Sequence, residues 1–260
     1  MRINLQPGYV LHSRSYRDSS QVLDVLTPEH GRLTLVAKGS RRRVRGGAAG
    51  AILQPFIPLL LSFSGRAEMK NLVASEVAGR PEMLRGERLF IGFYLNELLV
   101  RLLHRHDPHP ELFALYGETL SCLASAGSTD EVLRRFEFKL MQELGYGFDL
   151  GVDGLSGDAV CAQHWYYYNP EFGMVQGAAE AEESDQSLFS GAMLLAMAGG
   201  EFGGPVRPSA KRLSRQALAG LLGDRPLRSR ELFLQDFQRR SGRTIQHGAG
   251  HQDIPAGGGT

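Results

Sequence analysis

The sequence predicts an α+β chain of two domains, a small five-stranded β-barrel followed by a mainly α-helical domain. Residues 1–80 read as short β-rich segments joined by tight turns, with no long helix between them. After Pro81 the apolar residues recur at helical spacing. Charge divides near the same boundary. Residues 1–80 hold twelve Lys or Arg against five Asp or Glu, residues 81–206 seven against nineteen, and residues 207–243 ten against three. A formal net charge of +1 thus hides two cationic ends around an anionic middle. Such asymmetry points to a polyanion such as nucleic acid as partner. The plainer alternative is that the segments neutralise one another within the fold.

In the first domain, 1–80, the segments Tyr9–Tyr16, Gln21–Thr27 and Arg32–Ala37 are rich in β-formers. Pro28-Glu29-His30-Gly31 turns the second into the third, because Pro pre-sets φ and Gly accepts positive φ. Lys38–Gly50 is glycine-rich and basic and reads as a mobile loop. Ile52–Phe63 and Met69–Val77 flank a Ser64-Gly65-Arg66 turn; Pro55 and Pro58 make the first of them bent or a barrel edge. Five short strands of this kind fit a closed barrel of the OB type. A five-stranded open sheet would show the same periodicity.

The helical domain, 81–242, begins with Glu87–Arg105, whose Phe90, Ile91, Tyr94, Leu98 and Leu102 make a broad apolar face. Pro110 suits the first turn of a helix over Glu111–Ser125. Ser128 or Thr129 can cap Glu131–Leu144, which Gly145 ends. An irregular insert near 150–180 follows, with one hairpin through Trp165–Asn169 and Gly173–Val175. Helices are expected again over Asp185–Ala198, Ala210–Leu222 and Ser229–Arg240, and a disordered tail over 243–260.

Cys122 and Cys161 are the only cysteines, so neither a disulfide framework nor a four-thiolate zinc site is available. The opening MRINLQPGYV lacks a basic-then-apolar leader, and no apolar run reaches the ~20 residues of a membrane span. A cytoplasmic, nucleoid-associated protein without a membrane partner is expected. None of the four lysines follows a glycine, which removes a Gly-Lys phosphate loop. No dinucleotide fingerprint, nucleophile elbow or His-Glu-x-x-His helix occurs either, so no catalytic role is expected. His104, His106, Asp107 and His109 are zinc-type donors, but the prolines among them mark an interhelical loop, and no second ligand group lies at a metal spacing. Trp165-Tyr166-Tyr167-Tyr168 could stack on bases, although an acidic setting favours a core strand. Cys122 reads as core.

The basic segments carry more. Lys38, Arg41, Arg42, Arg43 and Arg45 place five cations on an adaptable stretch without a carboxylate, which can follow phosphates without reading bases. Lys211, Arg212 and Arg215 share part of one helix face, away from Leu213 and Ala217, and Arg225, Arg228 and Arg230 extend the charge. For both segments the bland alternative is a solvated surface.

These residues sit in longer runs. They are Val10-Leu11-His12-Ser13-Arg14, Ser19-Ser20-Gln21-Val22-Leu23-Asp24-Val25, His30-Gly31-Arg32 and Leu35-Val36-Ala37-Lys38-Gly39 in the first domain. Leu53-Gln54-Pro55-Phe56, Phe93-Tyr94-Leu95-Asn96-Glu97-Leu98-Leu99, Leu133-Arg134-Arg135-Phe136-Glu137 and Leu144-Gly145-Tyr146-Gly147 come next. Ala210-Lys211-Arg212-Leu213 and Arg228-Ser229-Arg230-Glu231-Leu232-Phe233 complete the series. In order, from about residue 8 to 238, they closely resemble the RecO family of bacterial DNA repair proteins.

The resemblance implies an N-terminal OB domain, a helical domain and a recombination mediator. Such a protein binds single- and double-stranded DNA, anneals complementary strands, and helps load the RecA recombinase with the partner RecR. It also binds the acidic C-terminal tail of the single-stranded DNA-binding protein. The candidate DNA-binding set is Arg14, Lys38, Arg41, Arg42, Arg43, Arg45, Lys211, Arg212 and Arg215. For the tail, Arg134 of Leu-Arg-Arg-Phe-Glu is favoured and Arg135 is the second candidate; a salt bridge of Arg134 along its own helix, to Asp130, Glu131 or Glu137, is the alternative. Many members carry a four-cysteine zinc site in the region of Gly151–Tyr168. Here only Cys161 lies there, so no metal or cofactor is expected and packing must hold the segment. Two other classes compete: a nuclease, which would need clustered carboxylates for magnesium, and a protein-binding adaptor without DNA affinity.

Overall fold

A computed structural model describes residues 2–247 apart from 45, 46, 49, 126 and 178–186. Strands β1 (Arg2–Tyr16), β2 (Ser20–Thr27) and β3 (Gly31–Ala37) form an antiparallel meander. A short hairpin, β4 (Arg43–Val44) with β5 (Gly47–Ala48), interrupts the basic segment that the sequence presents as a loop. Strands β6 (Leu59–Ser64) and β7 (Met69–Val77) then complete a closed barrel in the order β1-β2-β3-β7-β6. The β3–β7 pair is parallel, and β6 returns to β1. Closure removes the free edges that an open sheet would leave.

β1 starts seven residues before the expected Tyr9, because Pro7-Gly8 continues the strand and does not break it. Residues up to Gly8 pair with β6 and those from Tyr9 pair with β2. Gly8 packs closely there: a Cβ would lie 2.8 Å from a Leu61 methyl and 3.2 Å from the Leu26 carbonyl oxygen. In the opposite sense, Ile52–Pro58 is not strand. Pro55, the positive φ of Phe56 (69°) and Pro58 hold it in turns, and pairing resumes only at Leu59. Val10, Leu23, Val25, Leu33, Leu35, Leu59, Leu61 and Phe63 fill the barrel. Leu11 and Leu26 point outward, and the helices cover them.

The first helices are α1 (Glu87–Leu102) and α2 (Pro110–Ala124), which lie on the barrel, and α3 (Thr129–Glu143), which packs on α2. Ser128 caps α3 by accepting from the Glu131 N–H, and Gly145 follows its end at φ 78°. The domains share one core in which Leu11 and Leu26 meet Leu95, Leu99 and Tyr116. Inside it the Asn96 amide donates to the Leu11 carbonyl (2.9 Å) and accepts from the Tyr116 hydroxyl (2.6 Å). The histidine-rich loop after α1 is the second clamp. The Arg32 guanidinium donates to the Leu103 carbonyl, and the His106 N–H to the Arg32 carbonyl (3.1 Å). Gly31 packs so closely that a Cβ there would lie 2.0 Å from the Asp107 carbonyl oxygen.

A small sheet, β10-β8-β9, follows, made of β8 (Trp165–Asn169), β9 (Gly173–Gln176) and β10 (Leu188–Ser190). Leu188–Ser190 was expected in a helix; pairing with Trp165–Tyr167 draws it into the sheet, and α4 (Gly191–Ala198) begins only afterwards. Of the aromatic run, Tyr166 is buried and Tyr168 packs on Phe148, while Tyr167 faces outward, as strand alternation requires. Cys122 is exposed and not core. A 3-10 turn, Gly204–Val206, leads into α5 (Arg207–Leu222), and α6 (Arg228–His247) runs through residues 243–247, where a tail was expected to begin. Residues 248–260 of that expected tail lie outside the described residues.

Candidate nucleic-acid interface

One end of the barrel gathers several of the cations of the first domain. The β1–β2 turn, Arg17–Ser19, lies beside the segment leaving β3, because the Arg41 N–H donates to the Ser19 carbonyl (3.0 Å). The buried Ser40 hydroxyl folds back onto the Ala37 carbonyl (3.0 Å), and Gly39 takes φ 68°. This pins the segment while Lys38, Arg41 and Arg42 stay exposed. Arg14 is exposed on β1 near the same end. Among the described residues none of these four has a carboxylate within 4.0 Å. Between turn and segment lies a cleft of about 320 Å³ lined by Tyr16, Arg17, Ser19, Ser20, Lys38 and Arg42, among others. Tyr16 and Arg17 were not among the expected site residues; a Tyr-Arg pair closing a hairpin is their signal. Of the remaining expected residues, Arg45 lies outside the described residues, as does the side chain of Arg43.

The second cationic set is divided by the structure. Lys211 and Arg215, four apart on α5, are exposed. Arg212 is not on their face. Its guanidinium lies 4.3 Å over the Phe189 ring and donates to the Leu188 carbonyl, so it fastens α5 to β10. One residue further along a helix is about 100° around it, which turns Arg212 toward the sheet.

The two arginines of α3 also separate. Arg134 is 5% exposed and pairs with Glu137 at 2.7 Å. The same nitrogen donates to the Ser214 hydroxyl (2.6 Å), and the Ser214 and Tyr94 hydroxyls donate to the two Glu137 oxygens (2.6 Å each). Burial raises the Glu137 carboxyl above its ordinary range against the pull of Arg134, and pushes the Tyr94 phenol well up. This network binds α1, α3 and α5 together, which corrects the preference for Arg134 as an outward anchor. Arg135 is exposed instead. It stands with Lys139, one turn on, at the rim of a groove of about 630 Å³. Phe138, Phe148, Met197 and Phe202 give that groove an apolar floor, with Phe138 and Phe202 stacked at 5.3 Å. Lys139 was not anticipated; its i, i+4 spacing from Arg135 is the missed signal.

Among the described residues of the insert no set of donors fits a metal. Both oxygens of Asp153 are taken by backbone: Oδ1 accepts from Leu155 (2.8 Å) and Ser156 (2.9 Å), Oδ2 from Gln176 (2.6 Å). Burial would raise this carboxyl, and the N–H groups of Ser156, Gln176 and Leu155 outweigh it and hold it below the usual range. The Cys161 thiol donates to the Gln163 side-chain oxygen (3.0 Å). In the histidine loop, His109 lies 3.4 Å from Asp107, and the loop docks on the barrel.

Known sequences offer a comparison for this arrangement. A family model described as "Recombination protein O N terminal" matches residues 1–80, and one described as "Recombination protein O C terminal" matches residues 83–231. The chain is 46% identical to the DNA repair protein RecO of Pseudomonas aeruginosa (strain LESB58) over 230 residues, 88% of this chain and 94% of that protein. Against the DNA repair proteins RecO of Methylococcus capsulatus and Nitrosococcus oceani the identity is 44%, over 89% and 92% of this chain and 93% and 96% of theirs. Among the described residues no helix is long and apolar enough to cross a membrane. Barrel, helical domain and matched relatives together make this chain a member of the recombination protein O (RecO) family of DNA repair proteins.

Proposed function

We propose that the protein is a non-catalytic recombination mediator that binds single- and double-stranded DNA, anneals complementary strands, and helps load RecA, with RecR, onto DNA coated by single-stranded DNA-binding protein. The observation that carries the reading is the exposed set Arg14, Lys38, Arg41 and Arg42, without carboxylate partners among the described residues, at one end of a closed barrel. Annealing needs two polyanions brought together with their charge neutralised and no nucleotide hydrolysed. Lys211 and Arg215 on α5 offer a second strand its own cations. Cations on exposed segments grip phosphates without fixing sequence, as a protein acting on any broken DNA requires.

The groove beside α3 supports the reading for the single-stranded DNA-binding protein. A tail ending in apolar side chains and a carboxylate needs an apolar floor with cations at its rim, and Arg135 and Lys139 stand over Phe138, Phe148 and Phe202. The deciding experiment is strand annealing by the pure protein without ATP over a salt series. Annealing that weakens steadily with salt is expected. Annealing absent at every salt concentration would sink the proposal.

A further inference from the structure

We propose that the cleft between the β1–β2 turn and the Lys38–Arg42 segment seats one nucleotide of an unpaired strand, base on the Tyr16 ring and phosphate on Arg17, Lys38 and Arg42. The proposal rests on the DNA-binding reading above and deepens it, by naming the form of DNA that this end of the barrel selects.

The lining supplies what a nucleotide requires. Arg17, Lys38 and Arg42, with Ser19 and Ser20, line a volume of about 320 Å³, Tyr16 adds an aromatic side chain, and among the described residues no carboxylate lines it. A phosphate needs the cations. A base needs the ring, since every base has a π-face and stacking is indifferent to sequence. In a duplex those faces are already stacked on neighbouring base pairs, so only an unpaired base gains from Tyr16.

Arg17 adds an independent observation. It holds φ at 52°, a left-handed conformation that is costly for a residue with a Cβ. In that conformation its guanidinium lies 5.2 Å from the centroid of the Tyr16 ring. The cleft therefore holds a cation against the ring that a base would use. When a strand enters, the base takes the ring and the guanidinium turns to the adjoining phosphate, so an intramolecular cation–π contact is exchanged for a stack and an ion pair. The 3.0 Å bond from the Arg41 N–H to the Ser19 carbonyl fixes the two walls relative to each other. The exchange suits annealing. A site that grips bases by their faces holds single strands and lets go once pairing hides those faces.

The test measures binding of a single strand carrying 2-aminopurine and of a duplex hairpin, by wild type, Tyr16→Phe, Tyr16→Ala and Arg17→Gly. Tyr16→Ala should lose about tenfold in affinity for the single strand, with the stacking quench of 2-aminopurine, while duplex affinity stays within about twofold. Tyr16→Phe should keep both. Arg17→Gly separates binding from folding: it relaxes the backbone, so the melting temperature should hold or rise, while single-strand affinity falls and the salt slope flattens by about one unit. If Tyr16→Ala melts lower, Tyr16→Phe and Arg17→Gly decide alone. Equal losses on single strand and duplex, full single-strand affinity in Tyr16→Ala, or a lower melting temperature in Arg17→Gly would each overturn the cleft and leave DNA binding standing. A wild type that binds neither form removes both readings.

Discussion

Arg134 and Arg135 are adjacent in the chain, yet a helix turns successive side chains by about 100°, and that rotation separates their roles. Arg134 lies inside, with Glu137 and Ser214; Arg135 stands outside, above an aromatic groove. Removing one member of a buried ion pair leaves the other charge uncompensated, so Arg134→Ala should destabilise the fold by ~3–5 kcal/mol. Arg135→Ala should leave thermal unfolding unchanged and weaken a labelled acidic tail peptide about tenfold, close to 1.4 kcal/mol. Paired melting curves and peptide titrations on the two variants check this; a stable Arg134→Ala that loses the peptide would reverse the assignment. Asp153 makes the same point within the insert. Three backbone N–H groups converge on its carboxylate, so Asp153→Ala should cost ~1–3 kcal/mol and lower the melting temperature even with chelator present. The depressed carboxyl contributes stability that is present above its unfolded pKa and is lost as pH falls through the folded one.

Helix α1 organises the junction between α5 and α6 from both sides. Arg101 donates to the carbonyl of Leu222 at the end of α5 and to those of Arg225 and Pro226 in the connection beyond it, and Glu97 accepts from the N–H groups of Arg228 and Ser229 and the Ser229 hydroxyl at the start of α6. A cation thus meets the carbonyl end of one helix dipole and a carboxylate the amide end of the next. Glu97→Ala should cost ~0.5–2 kcal/mol, as lost N-terminal caps do, and amide exchange in the first turn of α6 should quicken while α5 is unaffected. Protection in α6 unchanged from wild type would show the cap to be dispensable. For the basic elements the expectations concern salt. Replacing Arg41 and Arg42 by Ala should lower DNA affinity and reduce the salt slope by about one unit per lost contact. Lys211→Glu with Arg215→Glu should reduce annealing more than single-strand binding; equal losses would dismiss a second strand surface.

The whole molecule depends on a core that runs from the barrel into the helices, and its largest polar members are phenols. Burial pushes Tyr116 and Tyr94 well above the ordinary value near 10, with Glu137 adding to the effect at Tyr94 and Tyr9 at Tyr116. Above that value the unfolded chain has released protons that the folded chain still holds, so stability falls as pH rises. The contribution is complete below about pH 10 and is lost beyond it. Melting temperature should therefore drop steeply on the alkaline side, and Tyr94→Phe should shallow the drop. A drop unchanged in that variant would assign the alkaline transition to other groups.

Much of this architecture was legible in the residues. Period-2 β-formers, Pro28-Glu29-His30-Gly31 and the change of period after Pro81 describe a barrel followed by helices, and Ser128, Pro110 and Gly145 mark helix ends. All of these are local signals, set by φ preferences and by which neighbours i±2 or i±4 share a face. Pairing overrode them in two places. Leu188–Ser190 became strand because β8 offered it a ladder, and Ile52–Pro58 did not because its prolines deny one. The candidate site divided in the same way. That cations cluster at Lys38–Arg42 and on α5 is written in the composition. Which of them face water is not, since the burial of Arg134 and the inward turn of Arg212 depend on Glu137, Ser214 and Phe189, partners from one sheet strand, a different helix or one helical turn away. The cleft at Tyr16 was equally unreadable, because its walls come from the β1–β2 turn and the segment leaving β3, which only the pairing of β2 with β3 brings side by side.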